Sequence, residues 1–300
     1  MPLRSNSLRR ARPLLGTLVE ITASGASAGL PTALDAAFAA IEQIDRLMSF
    51  HAPNSDVSRI NAAIAGCEIR VHPHTSSVLH FARKLSALSD GAFDITIADV
   101  LMRNGFLPRP EESAVARTAA AATFDDLVLL PDHRVRWRRK GWIDLGGIAK
   151  GYAVDCAIGA LRAHGLASAV VNAGGDLRFF GDPQPIHARH PDAPTSLVPL
   201  GVFSDCAVAT SSGYFSGRIS GSGVTEPLVD PTRRACVRWG QSVTVVAPDG
   251  MTADALTKIV RLSAQAAPSI LERLRAQAMV IDSRGMRRCG ITTPAEATAA

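Results

Sequence analysis

Long apolar runs are missing from this 300-residue sequence. No stretch approaches the roughly 18 residues that a helix needs to cross a bilayer, which excludes a helical membrane span. The head MPLRSNSLRRARPLLGTLVEIT has neither the apolar segment nor the small-residue cleavage site of a secretory leader. As given, the chain reads as cytoplasmic; an exported protein whose leader had been removed would read the same way. Cysteine is sparse: Cys67, Cys156, Cys206, Cys236 and Cys289 are scattered, odd in number and without a C-x-x-C pair. This spacing points to reduced, structural thiols and against a zinc site. No internal repeat is visible, and no aromatic-and-basic module of the usual kinds marks a nucleic-acid partner.

What is present is the composition of a globular protein, 47% hydrophobic and 20% charged, with a formal net charge of +5. That length supports a sizeable core, in one large or two modest domains. The positive balance permits an acidic ligand without requiring one. Arginines gather at Arg4, Arg9, Arg10 and Arg12, and again at Arg134, Arg136, Arg138 and Arg139. In the second group Val135 and Trp137 alternate with arginine, the pattern of a strand with one solvated face.

Along the chain, Leu14–Thr22 alternates like a strand, and Pro31–Met48 sets Leu34, Phe38, Ile41, Ile44 or Asp45, and Met48 on one helical stripe. The stretch Ser49–Asn61 is rich in turn formers and is either a solvated loop or part of a site. A second helix is expected over Thr75–Ser89, ending at the Asp90-Gly91 turn. In the following Ala92–Ile97, Asp94 and Thr96 are either polar edge-strand residues or ligand contacts. Glu111–Thr123 reads as a surface helix or insert, and Leu127–Leu130 with Val135–Arg138 as a hairpin.

The segment Ile143–Asp176 holds two Gly-Gly turns on either side of an amphipathic helix, Ala149–His164, closed by Gly165. Such turns serve as close approaches to a phosphate or simply as corners of a helix-to-strand unit. Further on, Ala188–Val198 reads as a loop, Phe203–Ala209 as a strand, Thr210–Tyr214 as a polar turn and Gly217–Thr225 as flexible. Gln241–Ala247 is strongly strand-like. The helix Thr252–Leu262 then places Asp254 in its first turn, where an acid favours the helix dipole. A last helix over Pro268–Gln277, a strand over Ala278–Asp282 and a disordered tail after Ile291 complete the reading. With helices and strands interspersed and no long linker, the expectation is one α+β domain over residues 1–300, its ordered core at 11–291, with room for two lobes.

Five segments in fixed order then match one pattern: LLGT, MSFHAPNSDVSRIN, GAFDIT, DLGGIAKGYAVD with VNAGGDL, and SVTVVAPDGMTADAL. Together they resemble the ApbE family of FAD:protein FMN transferases over nearly the whole chain. The resemblance implies an α+β fold related to the tunnelling fold, with mixed sheets packed by helices. It also implies FAD as donor, magnesium, and transfer of FMN to a threonine hydroxyl of an acceptor, a redox-complex subunit, with release of AMP.

By the same resemblance, Leu15, Gly16, Thr17, His51, Ala92, Phe93, Asp94 and Lys150 are cofactor-binding positions. Gly147 through its carbonyl and Asp254 are metal positions; beyond the resemblance, Thr257 is a further candidate metal ligand, Asp254 and Lys258 are the candidate catalytic residues, and Asp254 or hydroxide on the metal is our candidate base. Four departures stand out. Leu15 replaces a common methionine, His51 an aromatic tyrosine, and Pro227 the histidine of an H-x-x-D-P sequence. Lys258 also stands where a threonine metal ligand is usual, and Thr257 is one residue, roughly 100° of helix, away. Two other readings therefore stand beside the transferase: a non-catalytic FAD-binding or assembly protein, and a pyrophosphatase giving FMN and AMP.

Overall fold

The computed structural model describes residues 6–26, 28–109, 121–213, 217–220, 223–238 and 240–290. Most of the expected helix or insert at 111–123, and the tail after Ile291, lie outside the described residues. The elements begin with β1 (Asn6–Leu14), β2 (Thr17–Gly25), α1 (Leu30–Met48), α2 (Asp56–Ala62), β3 (Glu68–Arg70), α3 (Pro73–Leu88) and α4 (Ala98–Arg103). They continue with β4 (Leu127–Leu130), β5 (Arg134–Trp137), α5 (Ala149–Ala163), β6 (Ser168–Ala173), β7 (Asp176–Phe180), β8 (Gln184–Arg189), β9 (Leu197–Phe203) and β10 (Ala207–Ser211). The last are β11 (Arg218–Ser220), β12 (Gly223–Asp230), β13 (Ala235–Arg238), β14 (Ser242–Ala247), α6 (Gly250–Leu262), α7 (Ala267–Arg273), β15 (Gln277–Asp282) and β16 (Gly285–Gly290). The chain divides into two compact units, one of residues 1–45, 148–214 and 240–300, the other of 46–147 and 215–239.

The first unit is built on an eight-stranded sheet in the order β1-β2-β6-β7-β10-β14-β15-β16. Among the described residues every pairing in it is antiparallel. Strands β14 and β15 are buried at every position, which is why their sequences run apolar without alternation. One side of this sheet meets the β8–β9 hairpin: Ile186, Ala188, Leu200 and Phe203 pack with Phe179, Val246, Met279 and Ile281. Helix α5 packs on β6 and β7, and α6 on β10 and β14. In α1 the expected stripe is inside, with Leu34, Phe38, Ile41 and Ile44 all fully buried.

Several boundaries differ from the sequence expectation for local reasons. A tight turn at Leu15-Gly16 divides the strand expected over Leu14–Thr22. Phe203–Ala209 is likewise two strands, broken at Asp205, which has a left-handed φ of 47°. Thr210 and Ser211 continue β10 instead of forming a turn, and Ala188–Val198 is the connection and facing ends of a hairpin. The Gly217–Thr225 stretch contributes to the paired strands β11 and β12. Helix α7 stops at Arg273, two residues before Arg275 takes a φ of 53°.

The second unit holds the sheets β3-β5-β4 and β11-β12-β13 with helices α2, α3 and α4. The β4–β5 hairpin forms as expected, with Val135 and Trp137 buried and Arg136 half-buried. The turn-rich 49–61 stretch contains the short helix α2, whose N-terminus is capped by Ser55 Oγ accepting from Ser58 N at 3.0 Å. At its end, buried Asn61 exchanges two hydrogen bonds with Ile143, donating to the carbonyl and accepting from the amide, each at 2.8 Å. Trp137 Nε1 donates to Ile60 O at 3.0 Å, so α2 is tied to β5 as well.

Candidate active site

Two hairpins of the first unit lie side by side, because β2 pairs with β6 from Val19↔Ala173 onward. In the β1–β2 turn Leu15 (φ 55°) and Gly16 (φ 70°) both take left-handed backbone, the signature of a two-residue turn matched to strand twist. Glycine does this freely, whereas leucine is strained there. The Leu15 amide donates to Asp45 Oδ2 at 3.2 Å, which holds the turn onto α1. In the β6–β7 turn Gly174 (φ 65°) and Gly175 (φ 104°) play the same part. A Cβ at Gly174 would stand 2.5 Å from Thr17 Oγ1, so only glycine lets Thr17 approach.

Next to these turns, α5 and α6 approach through backbone. A Cβ at Gly151 would lie 2.1 Å from Gly250 O, and one at Gly250 would lie 2.5 Å from Gly151 O. Each helix also supplies a carboxylate to the other's unsatisfied first turn. Asp155 of α5 accepts from Gly250 N at 2.7 Å and Met251 N at 2.9 Å, and Asp254 Oδ2 of α6 accepts from Gly151 N at 3.1 Å. Asp249 completes the start of α6 by accepting from Thr252 N at 2.8 Å. Asp254 is therefore not the first-turn charge of its own helix, which begins at Gly250. The Gly151 amide is thereby committed to Asp254 and is not free for a phosphate.

The charged side chains here form an alternating cluster. Lys258, one turn after Asp254, places Nζ on Asp254 Oδ1 and, at 3.0 Å, on Asp254 O. Lys150 bonds Asp176 at the start of β7 and lies 3.7 Å from Asp254 Oδ2. Asp254 is fully buried and Asp176 nearly so, whereas the Lys150 side chain is 32% exposed and that of Lys258 18%. Burial works against the charge of Asp254, yet Lys150 and Lys258 outweigh it and hold the carboxyl below its usual range. Burial likewise opposes the Lys150 charge, and Asp176 and Asp254 overturn it, raising the ammonium well above the usual lysine value. Thr257 is also fully buried, but its hydroxyl donates to the Asp254 carbonyl at 2.7 Å, leaving Lys258 as the neighbour of the carboxylate.

The resemblance implied a magnesium ion at Asp254, and this donor set does not fit one. Both carboxylate oxygens already face ammonium groups, and two acids balance two lysines. At about 4 Å and an effective dielectric near 20, a divalent ion would meet each ammonium with roughly 8 kcal/mol of repulsion. Among the described residues no group of three or more His, Cys, Asp or Glu is arranged to hold a metal ion.

The other expected positions belong to the second unit. His51 is exposed and its ring stands edge-on to Phe50, 6.3 Å between centroids. Ala92–Ile97 forms turns and no strand. Within it Asp94 Oδ1 accepts from Thr96 N and Oγ1, both at 2.7 Å, and Oδ2 from Phe124 N at 3.2 Å. Burial raises the Asp94 pKa despite these bonds. Phe93 is buried, its amide accepted by Ser89 Oγ at 3.0 Å, and Ala92 is half-buried. Gly147 is half-buried in the bend before α5, and Pro227 is exposed in β12.

The ApbE family pattern matches residues 15–281. This chain belongs to the ApbE family. Two curated ApbE-type relatives are each named FAD:protein FMN transferase. The protein of Vibrio cholerae serotype O1 is 27% identical over 230 residues, covering 72% of this chain and 69% of its own. That of Rhodobacter capsulatus is 29% identical over 255 residues and 81% of this chain, which spans about half of its length, 49%. The solved ApbE protein of Thermotoga maritima superposes with a TM-score of 0.82 at 26% identity, covering 95% of this chain and 97% of that one. Within this ApbE chain Asp176 joins the cluster without having been singled out from sequence. Its only signal was its place after the second Gly-Gly pair.

Proposed function

We propose that this chain transfers the FMN part of FAD to a threonine hydroxyl of an acceptor protein and releases AMP. Membership of the ApbE family and the names of its relatives support the activity. The observation that carries the reading to particular residues is a pair of lysines on partly exposed side chains, Lys150 and Lys258, whose ammonium groups are anchored on buried Asp254 and Asp176. A pyrophosphate needs charge neutralisation and positioning more than covalent help. Lysines locked by buried acids supply fixed positive charge without reorganising during the reaction.

In the step itself the threonine oxygen bonds to the FMN phosphorus, and the bond from that phosphorus to the bridging oxygen of AMP breaks. The electron pair leaves with AMP, and the hydroxyl proton passes to water late in a loose transition state. Asp254 is a weak base, its pKa lowered and both oxygens engaged, so we assign it the holding of the lysines. Leu15, Gly16 and Thr17, with His51, Ala92, Phe93 and Asp94, are the proposed FAD contacts. The acceptor is a redox-complex subunit.

The test is to incubate the full chain with FAD and a flavin-acceptor domain and to follow AMP and acceptor mass. An FMN-sized mass gain on a threonine supports the proposal. AMP without labelling identifies a pyrophosphatase, and bound FAD with no AMP identifies a binding or assembly protein.

A further inference from the structure

We infer that Lys258 is a built-in cation that takes the place of a divalent metal at Asp254, so that this chain engages an anionic diphosphate with no resident metal ion. The inference rests on reading the cluster as the diphosphate end of an FAD site. Its geometry is set by α6: a spacing of four residues puts both side chains on one helical face. The Lys258 ammonium then lies between a carboxylate oxygen and the carbonyl oxygen of the same residue, Asp254. These are the hard oxygen donors a magnesium ion would seek. The opposite carboxylate oxygen faces Lys150, and Lys150 in turn is held by Asp176. Thr257 directs its hydroxyl proton at the same Asp254 carbonyl.

A metal ion could enter only by expelling Lys258 from a carboxylate that is wholly buried. The Lys258 side chain is not sealed in, keeping 18% of its surface exposed. It can therefore present the positive charge that a metal ion would otherwise bring to a phosphate oxygen. Removing that charge leaves the cluster with two acids and one lysine, a net negative site suited to a divalent ion.

The experiment uses the full chain and Mn2+ as probe, counted by the loss of the free-ion paramagnetic resonance signal, alongside AMP release from FAD. The wild type is expected to take up no stoichiometric Mn2+ and to release AMP equally in EDTA and in magnesium. Lys258→Thr is expected to bind one Mn2+ per chain, its affinity rising about tenfold or more. Its AMP release in EDTA should fall about 100-fold and return with added magnesium. Lys258→Arg should stay free of Mn2+. One tight Mn2+ on the wild type, or Mn2+ binding unchanged by Lys258→Thr, overturns the inference. If Lys258→Thr does not fold, the wild-type Mn2+ count decides alone. If no protein releases AMP, the transferase proposal fails while the Mn2+ counts still judge the role of Lys258.

Discussion

Replacing Gly151 with alanine tests the α5–α6 crossing directly. The new methyl would sit 2.1 Å from Gly250 O and 2.8 Å from Asp254 Cβ, where ordinary contact begins at 3.4 Å. Both obstacles are main chain or attached to it, so no side-chain rotation relieves them and the helices must part by about 1 Å. Overpacking of this kind costs about 1–3 kcal/mol. The same movement stretches the bond from Gly151 N to the buried Asp254 carboxylate, and a hydrogen bond to a charged group contributes about 1.5–3 kcal/mol. Against this, alanine in a helix gains about 1 kcal/mol over glycine. The net expectation is a loss of about 2–5 kcal/mol. Gly159 supplies the control, since it lies in the same helix with nothing within 4 Å of its Cβ position. Gly159→Ala should therefore gain about 0.5–1 kcal/mol. Urea unfolding followed by circular dichroism, with comparable m-values, measures both. If Gly151→Ala falls within 1 kcal/mol of wild type, or shifts in the same direction as Gly159→Ala, the crossing does not have the closeness described.

Three other expectations follow from the geometry. Because its folded pKa is depressed, Asp254 contributes stability that is present above its unfolded value of about 3.9 and lost as pH falls through the folded value. Asp254→Asn should thus be less stable by about 3–5 kcal/mol at pH 7, and the gap should close as pH drops below about 4; a gap that widened in acid would contradict the assigned sign. In the second unit, Asn61→Ala strands the buried amide and carbonyl of Ile143, a loss of about 2–5 kcal/mol in a urea titration. Leu15→Asn should relieve a left-handed leucine, raising stability by about 1 kcal/mol while weakening FAD binding measured by flavin fluorescence.

Much of the architecture could be read from residue order because it rests on local periodicity. The α1 stripe and the apolar runs of β14 and β15 are of this kind, and so is the hairpin between Leu127 and Trp137. Strand β16 went unnoticed because five of its six residues are exposed, and only backbone pairing with β15 makes it a strand. Helix α6 was started at Thr252 because Pro248-Asp249-Gly250 reads as a break. In the fold Asp249 is the cap and Gly250 the first helical residue. The family resemblance named Lys150, Asp254 and Lys258 individually. It could not show that Lys258 turns onto Asp254, nor that Asp176 completes the balance, since both depend on how distant segments pack.

The crossing of α5 and α6 has a local two-fold symmetry. GYAVD and GMTAD present the same glycine and, four residues later, the same acid, and each acid reaches the opposite glycine's amide. The two halves have diverged in their charge partners: Asp155 faces Arg178, and Asp254 faces two lysines. A dyad of this kind permits neither helix to slide or roll alone. Lys150 and Lys258, one on each helix, are therefore both referred to one buried carboxylate, Asp254, at the crossing.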